Sequence, residues 1–133
     1  MTHATGTFDV QLKPIPTHDT ALGSPLGSMS IDKQIHGDLE ATTVGEMLMS
    51  MGTVKGSAGY VAMEHVRGTL HGKAGSFVFQ HGATMNRGVP TLSVTVVPDS
   101  GTGELKGLAG TFDIIIEAGN HSYTFDYTLD AGA

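Results

Sequence analysis

The feature that most constrains this chain is the period of its hydrophobic pattern. Apolar residues recur at every second position in short runs, and no long stretch carries a clean 3.6-residue period. Side chains that alternate at period two occupy the two faces of a β-strand. The pattern predicts eight strands: Ala4–Lys13, Ser28–His36, Leu39–Met49, Ser57–His71, Ala74–Arg87, Thr91–Val97, Thr111–Glu117 and Ser122–Leu129. A Pro- and Gly-containing loop, Pro14–Gly27, separates the first two. The expected fold is all-β, a closed eight-stranded antiparallel barrel forming one domain over residues 1–133.

Glycine, 19 of 133 residues, falls between these runs rather than in a low-complexity tract. Gly37-Asp38, Gly72-Lys73 and Gly119-Asn120 read as tight hairpin turns. A two-residue turn at Gly119-Asn120 would pair Ile116 with Tyr123, Ile114 with Phe125 and Phe112 with Tyr127, giving that hairpin one apolar face. A two-residue turn at Gly37-Asp38 would set Lys33 opposite Thr42, diagonal to Glu40. At Gly72-Lys73 the same turn sets Glu64 opposite His81, and a loop one residue longer sets it opposite Gln80.

Chemistry is expected inside the barrel. Glu40, Glu46, Tyr60 and Glu64 are placed on the lumen face, with Lys33 and either Gln80 or His81 as neighbours. Glu64 lies in the middle of the longest strand, where a carboxylate needs a partner. The set Lys33, Glu40, Glu46, Tyr60, Glu64, Gln80 and His81 is the candidate ligand-binding site, and Glu64 or Glu40 the candidate acid or base. The same residues read structurally as a satisfied buried ion pair or an outward charged row. Leu39, Met47, Met49, Val61, Met63, Phe77, Phe79 and Met85 are expected largely on the outer wall. An apolar patch that large would be covered by a second copy, so a homo-oligomer, with a dimer favoured, is expected.

Other chemistries find no support. The chain has no cysteine, so disulfides, thiolate metal sites and thiol nucleophiles are excluded. None of the seven histidines has His-x-His or His-x-x-x-His spacing, and no metal is expected. The segment Gly101–Gly110 lacks both the phosphate-loop pattern and a following helix, and reads as a bulged connection. No Gly-x-Ser-x-Gly elbow occurs. A formal net charge of −6 with only 7 Lys plus Arg argues against nucleic acid and anionic membranes as partners. No leader-like or membrane-spanning apolar run is found, and a cytoplasmic location is expected.

Several segments carry a family likeness. They are Gly6-Thr7-Phe8-Asp9-Val10, Met29-Ser30-Ile31-Asp32-Lys33, His36-Gly37-Asp38-Leu39-Glu40, Gly45-Glu46-Met47-Leu48, Gly56 to Glu64, Gly75 to His81, and Val97 to Leu105. On these the chain resembles a bacterial family of small uncharacterised proteins with an allene-oxide-cyclase-like, calycin-like barrel. Its run Gly101-Thr102-Gly103…Gly107…Gly110 is similar to a segment of the wider group that includes allene oxide cyclases and dirigent proteins. That resemblance implies a lipophilic small molecule at the barrel and a tendency to oligomerise. No working residue of the cyclases matches a position here, so none is carried over. The leading expectation is binding of a small lipophilic or amphipathic molecule in the lumen, without a cofactor. The alternatives are a cofactor-free isomerase or cyclase using Glu64 or Glu40, and a structural or interaction protein with a filled barrel.

Overall fold

The computed structural model describes residues 1–129. Eight strands follow one another as β1 (Thr2–Ile15), β2 (Leu26–Gly37), β3 (Leu39–Met51), β4 (Ala58–Leu70), β5 (Lys73–Asn86), β6 (Val89–Val96), β7 (Leu108–Glu117) and β8 (Asn120–Leu129). Each pairs antiparallel with the next, and β8 returns to β1, so the sheet closes into a barrel. Among the described residues a single short 3-10 turn, Gly103–Leu105, interrupts the strands. No helix among the described residues is long and apolar enough to cross a membrane.

The turns expected at Gly72-Lys73 and Gly119-Asn120 sit one residue earlier than those dipeptides. Chain reversal occurs at His71-Gly72, Arg87-Gly88 and Ala118-Gly119, each with positive φ at both positions. That is the geometry whose twist matches the flanking strands, and the second position is a glycine in all three. The pairing is therefore Leu70 with Lys73 and Ile116 with His121. Ile114 meets Tyr123 and Phe112 meets Phe125, two residues off the expected register. A shift of two keeps every side chain on its face. Between β2 and β3 the difference is a single residue. Asp38 alone separates the strands, and Lys33 stands opposite Thr43, not Thr42.

That one-residue difference corrects the expected faces of β3. Glu40 and Glu46 point outward and are exposed, while Leu39, Ala41, Thr43 and Met47 point inward. Of the residues expected on the outer wall, Leu39, Phe77 and Phe79 are fully buried in the lumen, and Met47 and Met49 share the lumen side of β3. Val61 and Met63 do face outward, joined by Val44 and Leu48. Leu39, Phe77 and Phe79, three of the eight residues that called for a partner subunit, are therefore covered by the barrel itself, while Val61, Met63 and Met85 stay exposed.

The lumen is filled unevenly. At the end carrying Asp38, the 71–72 turn and the 97–107 segment, Leu39, Val66, Leu70, Phe77, Phe79, Phe112, Phe125 and Tyr123 form a continuous core. Phe112 stacks on Tyr123 with ring centroids 4.9 Å apart, and Phe79 packs on Phe112 at 4.7 Å. The glycine-rich segment closes this end as a structural connection. Its backbone pairs with β5 (Thr102 N–H to Ser76 O, 2.8 Å), and Leu105 is driven into the core. The segment supports a seam where β6 and β7 share only one paired position, Thr95 with Thr111. Leu105→Ala is expected to cost about 2–5 kcal/mol, read as a lower urea midpoint at unchanged m. An unchanged midpoint would show that the segment does not hold this end shut.

Candidate functional site

Where the apolar core stops, the lumen holds a cluster of charge. Lys33 on β2, Thr43 on β3, Glu64 on β4 and His81 on β5 point inward from four adjacent strands. Glu64 is 0% exposed, and Lys33, Thr43 and His81 are no more than 6% exposed. Lys33 Nζ donates to Glu64 Oε1 at 3.0 Å, and His81 Nε2 lies 2.6 Å from the same oxygen. Thr43 Oγ1 donates to Oε2 at 2.7 Å. Both carboxylate oxygens are thus bonded, as a buried charge requires. The Lys33 ammonium also sits 5.0 Å from the centre of the Phe8 ring.

Space for Glu64 comes from its cross-strand neighbour. Gly45 is paired with it, and a Cβ there would stand 2.3 Å from the Met63 carbonyl oxygen and 3.1 Å from Glu64 Cγ. Burial alone would raise the Glu64 carboxyl, but the His81 hydrogen bond, the Lys33 charge and the Thr43 hydroxyl outweigh it and hold the group down at about 2. A carboxyl depressed in the folded state adds stability that is complete above its ordinary value of 4.5 and is lost as pH falls toward 2. Such a group is ionised at neutral pH and a weak base. Its ionised form only accepts hydrogen bonds, so His81 Nε2 carries the proton between them. His81 Nδ1 has no hydrogen-bond partner among the described residues. No fully buried polar side-chain atom there lacks a partner, so Nδ1 reaches open space.

His81 lines a cavity of about 230 Å³ above the cluster. Its walls are Phe8, Val10, Ile31, Met47, Ile114 and Ile116, and its polar groups are Lys33, Tyr60, His81 and His121. It lies toward the barrel end bordered by the loop 16–25, the loop 52–57 and the turn at Ala118-Gly119. The Tyr60 ring stands 6.3 Å from the His81 ring, centroid to centroid. Burial, then the Glu64 charge, push the Tyr60 hydroxyl above its ordinary value, so it stays protonated at neutral pH.

The barrel therefore brings together Lys33, Tyr60, Glu64 and His81 from the expected site and leaves out three residues. Glu40 is on the outer face, where the Gly37 N–H donates to it at 2.7 Å and holds its carboxyl below the usual range. Glu46 and Gln80 border a groove of about 510 Å³ on the outer wall with Leu48, Val61 and Met63. Glu64 stands directly opposite Phe79, and His81 opposite Ala62. The imidazole reaches the carboxylate on the diagonal. Thr43 and His121 escape a reading of the sequence, because their place depends on registers that no motif marks. Among the described residues, no three His, Asp or Glu side chains converge as metal ligands.

Fold and site define a closed eight-stranded barrel, packed solid at one end and hollow at the other, with the Lys33–Glu64 ion pair and the His81 ring as the floor of the hollow. Residues 4–127 match the family of proteins of unknown function DUF3224, and the chain belongs to that family. It is similar to a crystal structure of a DUF3224 protein of unknown function from Shewanella oneidensis MR-1, at 51% identity over 98% of each chain with a TM-score of 0.92. No curated protein matches.

Lys33→Met would leave the buried carboxylate without its cation, and the expected loss is about 3–5 kcal/mol of unfolding free energy in urea. Adding Glu64→Gln should recover part of it, since a neutral amide needs no counter-charge. Equal stability of Lys33→Met and the parent protein would show that the ion pair is not buried as described.

Proposed function

We propose that the hollow end of the barrel binds a small amphipathic molecule, apolar tail outward and hydrogen-bond-accepting end inward. The single observation that carries this reading is the composition of the cavity: an apolar wall over a floor lined by Lys33, Tyr60 and His81. Glu64 is sealed behind Lys33 and His81, so the floor presents an ammonium, an imidazole and the Tyr60 hydroxyl. A carbonyl or carboxylate oxygen fits such a surface, and a cationic head does not. The alternative of a filled, purely structural barrel accounts for the far half of the lumen and leaves this half without a reason to carry charge. The resemblance to the allene-oxide-cyclase group, whose members handle lipophilic molecules at the barrel, points the same way at the level of fold only. Self-association as a dimer remains part of the proposal on the smaller outward patch of Val44, Leu48, Val61 and Met63. Light scattering at micromolar concentration decides it, a monomer mass ending it.

The probe is 2-octanone, an uncharged carbonyl compound with an apolar tail. Titrated into the protein, it is expected to shift the methyl resonances of Met47 and Ile114 saturably. Val10→Phe, which fills the cavity from β1, should weaken binding about tenfold or more. Shifts confined to outer-wall methyls such as Val44 and Met63, with Met47 unmoved, would overturn the reading.

A further inference from the structure

We infer that the hollow end is also a proton-transfer site, in which His81, held by Glu64, removes a proton from the carbon beside a bound carbonyl group. This rests on the lumen-binding reading above and assigns it a substrate class, enolisable ketones and related unsaturated carbonyl compounds.

A site that only held a carbonyl would need donors alone. This one sets a base beside them. His81 Nε2 and Lys33 Nζ bond the same Glu64 oxygen, so the imidazole and the ammonium stand within a few ångströms of each other. Glu64 fixes the proton on Nε2, which leaves the lone pair on Nδ1 of a ring that lines the cavity. A buried carboxylate that orients a histidine in this way is a positioning group and does not itself exchange protons with the substrate. The developing enolate needs hydrogen-bond donors in a dry site, and Lys33 and Tyr60 line that space. Tyr60 keeps its proton at neutral pH and so can donate.

The step balances without a co-reactant. The C–H bond breaks, its proton goes to His81 Nδ1, the C–H pair becomes the C=C bond, and the carbonyl π pair moves onto oxygen. Return of a proton from Nδ1 to the same carbon regenerates the ketone. In an unsaturated substrate, return at the far carbon moves the double bond.

The test follows hydrogen–deuterium exchange at the α-carbons of 2-octanone in D2O by NMR, with binding monitored on the Met47 methyl in the same sample. Exchange is expected to exceed that in protein-free buffer. His81→Gln keeps a donor for Glu64 and removes the base, so exchange per bound 2-octanone, with occupancy read on the Met47 methyl, should fall about a hundredfold or more. Glu64→Gln should lower exchange and change the His81 ring 15N shifts, because the amide can donate to Nε2 and move the ring proton to Nδ1. Lumen binding with exchange equal in the parent and His81→Gln would overturn the proton-transfer assignment and leave the binding reading standing. No binding at Met47 would overturn both.

Discussion

The structure turns on one buried carboxylate. Glu64 can be fully enclosed only because three strands deliver partners to it at hydrogen-bonding distance: Lys33, Thr43 and His81. Much else follows from that requirement. β2 must present Lys33 inward opposite Thr43, β3 must have a glycine beside Glu64, and β5 must bring His81 within diagonal reach. Burying an ion pair is a poor route to stability, since an apolar set of similar volume is often as good or better. A lumen shaped for stability alone would continue the Phe77, Phe79 and Phe125 packing to the other end. It does not, and the polar floor marks the place where packing gives way to a cavity.

This division organises the rest of the molecule. The far half has the aromatic stack, the Leu105 plug and the Tyr123 hydroxyl bridging the Leu39 and His36 backbones. An eight-stranded barrel is just wide enough either to be filled by its own side chains or to hold one small ligand. Here one half does each. The filled half supplies the rigidity that keeps four inward side chains on four different strands in register.

Much of this was legible in the sequence, and the boundary of legibility is physical. Alternation at period two and the glycine-containing turns are local signals, and they place all eight strands. The 71–72 and 118–119 turns stand one position before the expected dipeptides, which moves the pairing by two residues and leaves faces unchanged. Glu64 and Tyr60 were therefore assignable to one face, while the choice between Gln80 and His81 beside them stayed open. The Asp38 reversal moves the β2–β3 pairing by one, and a shift of one inverts a strand's faces. That single residue accounts for the misplacement of Glu40 and Glu46, and for assigning Leu39 and Met47 outward. The diagonal contact of His81 with Glu64, and the part played by Thr43, depend on the β3–β4 and β4–β5 registers together. No local motif encodes such a combination.

The central claim is that an ionised, fully partnered carboxylate forms the floor of the lumen. Its most direct test is the 13C resonance of the Glu64 carboxyl followed through a pH titration of the folded protein. The expected result is a carboxylate that stays ionised until pH approaches about 2. A midpoint at or above the ordinary 4.5 would contradict the account, because burial would then outweigh the bonds from His81, Lys33 and Thr43.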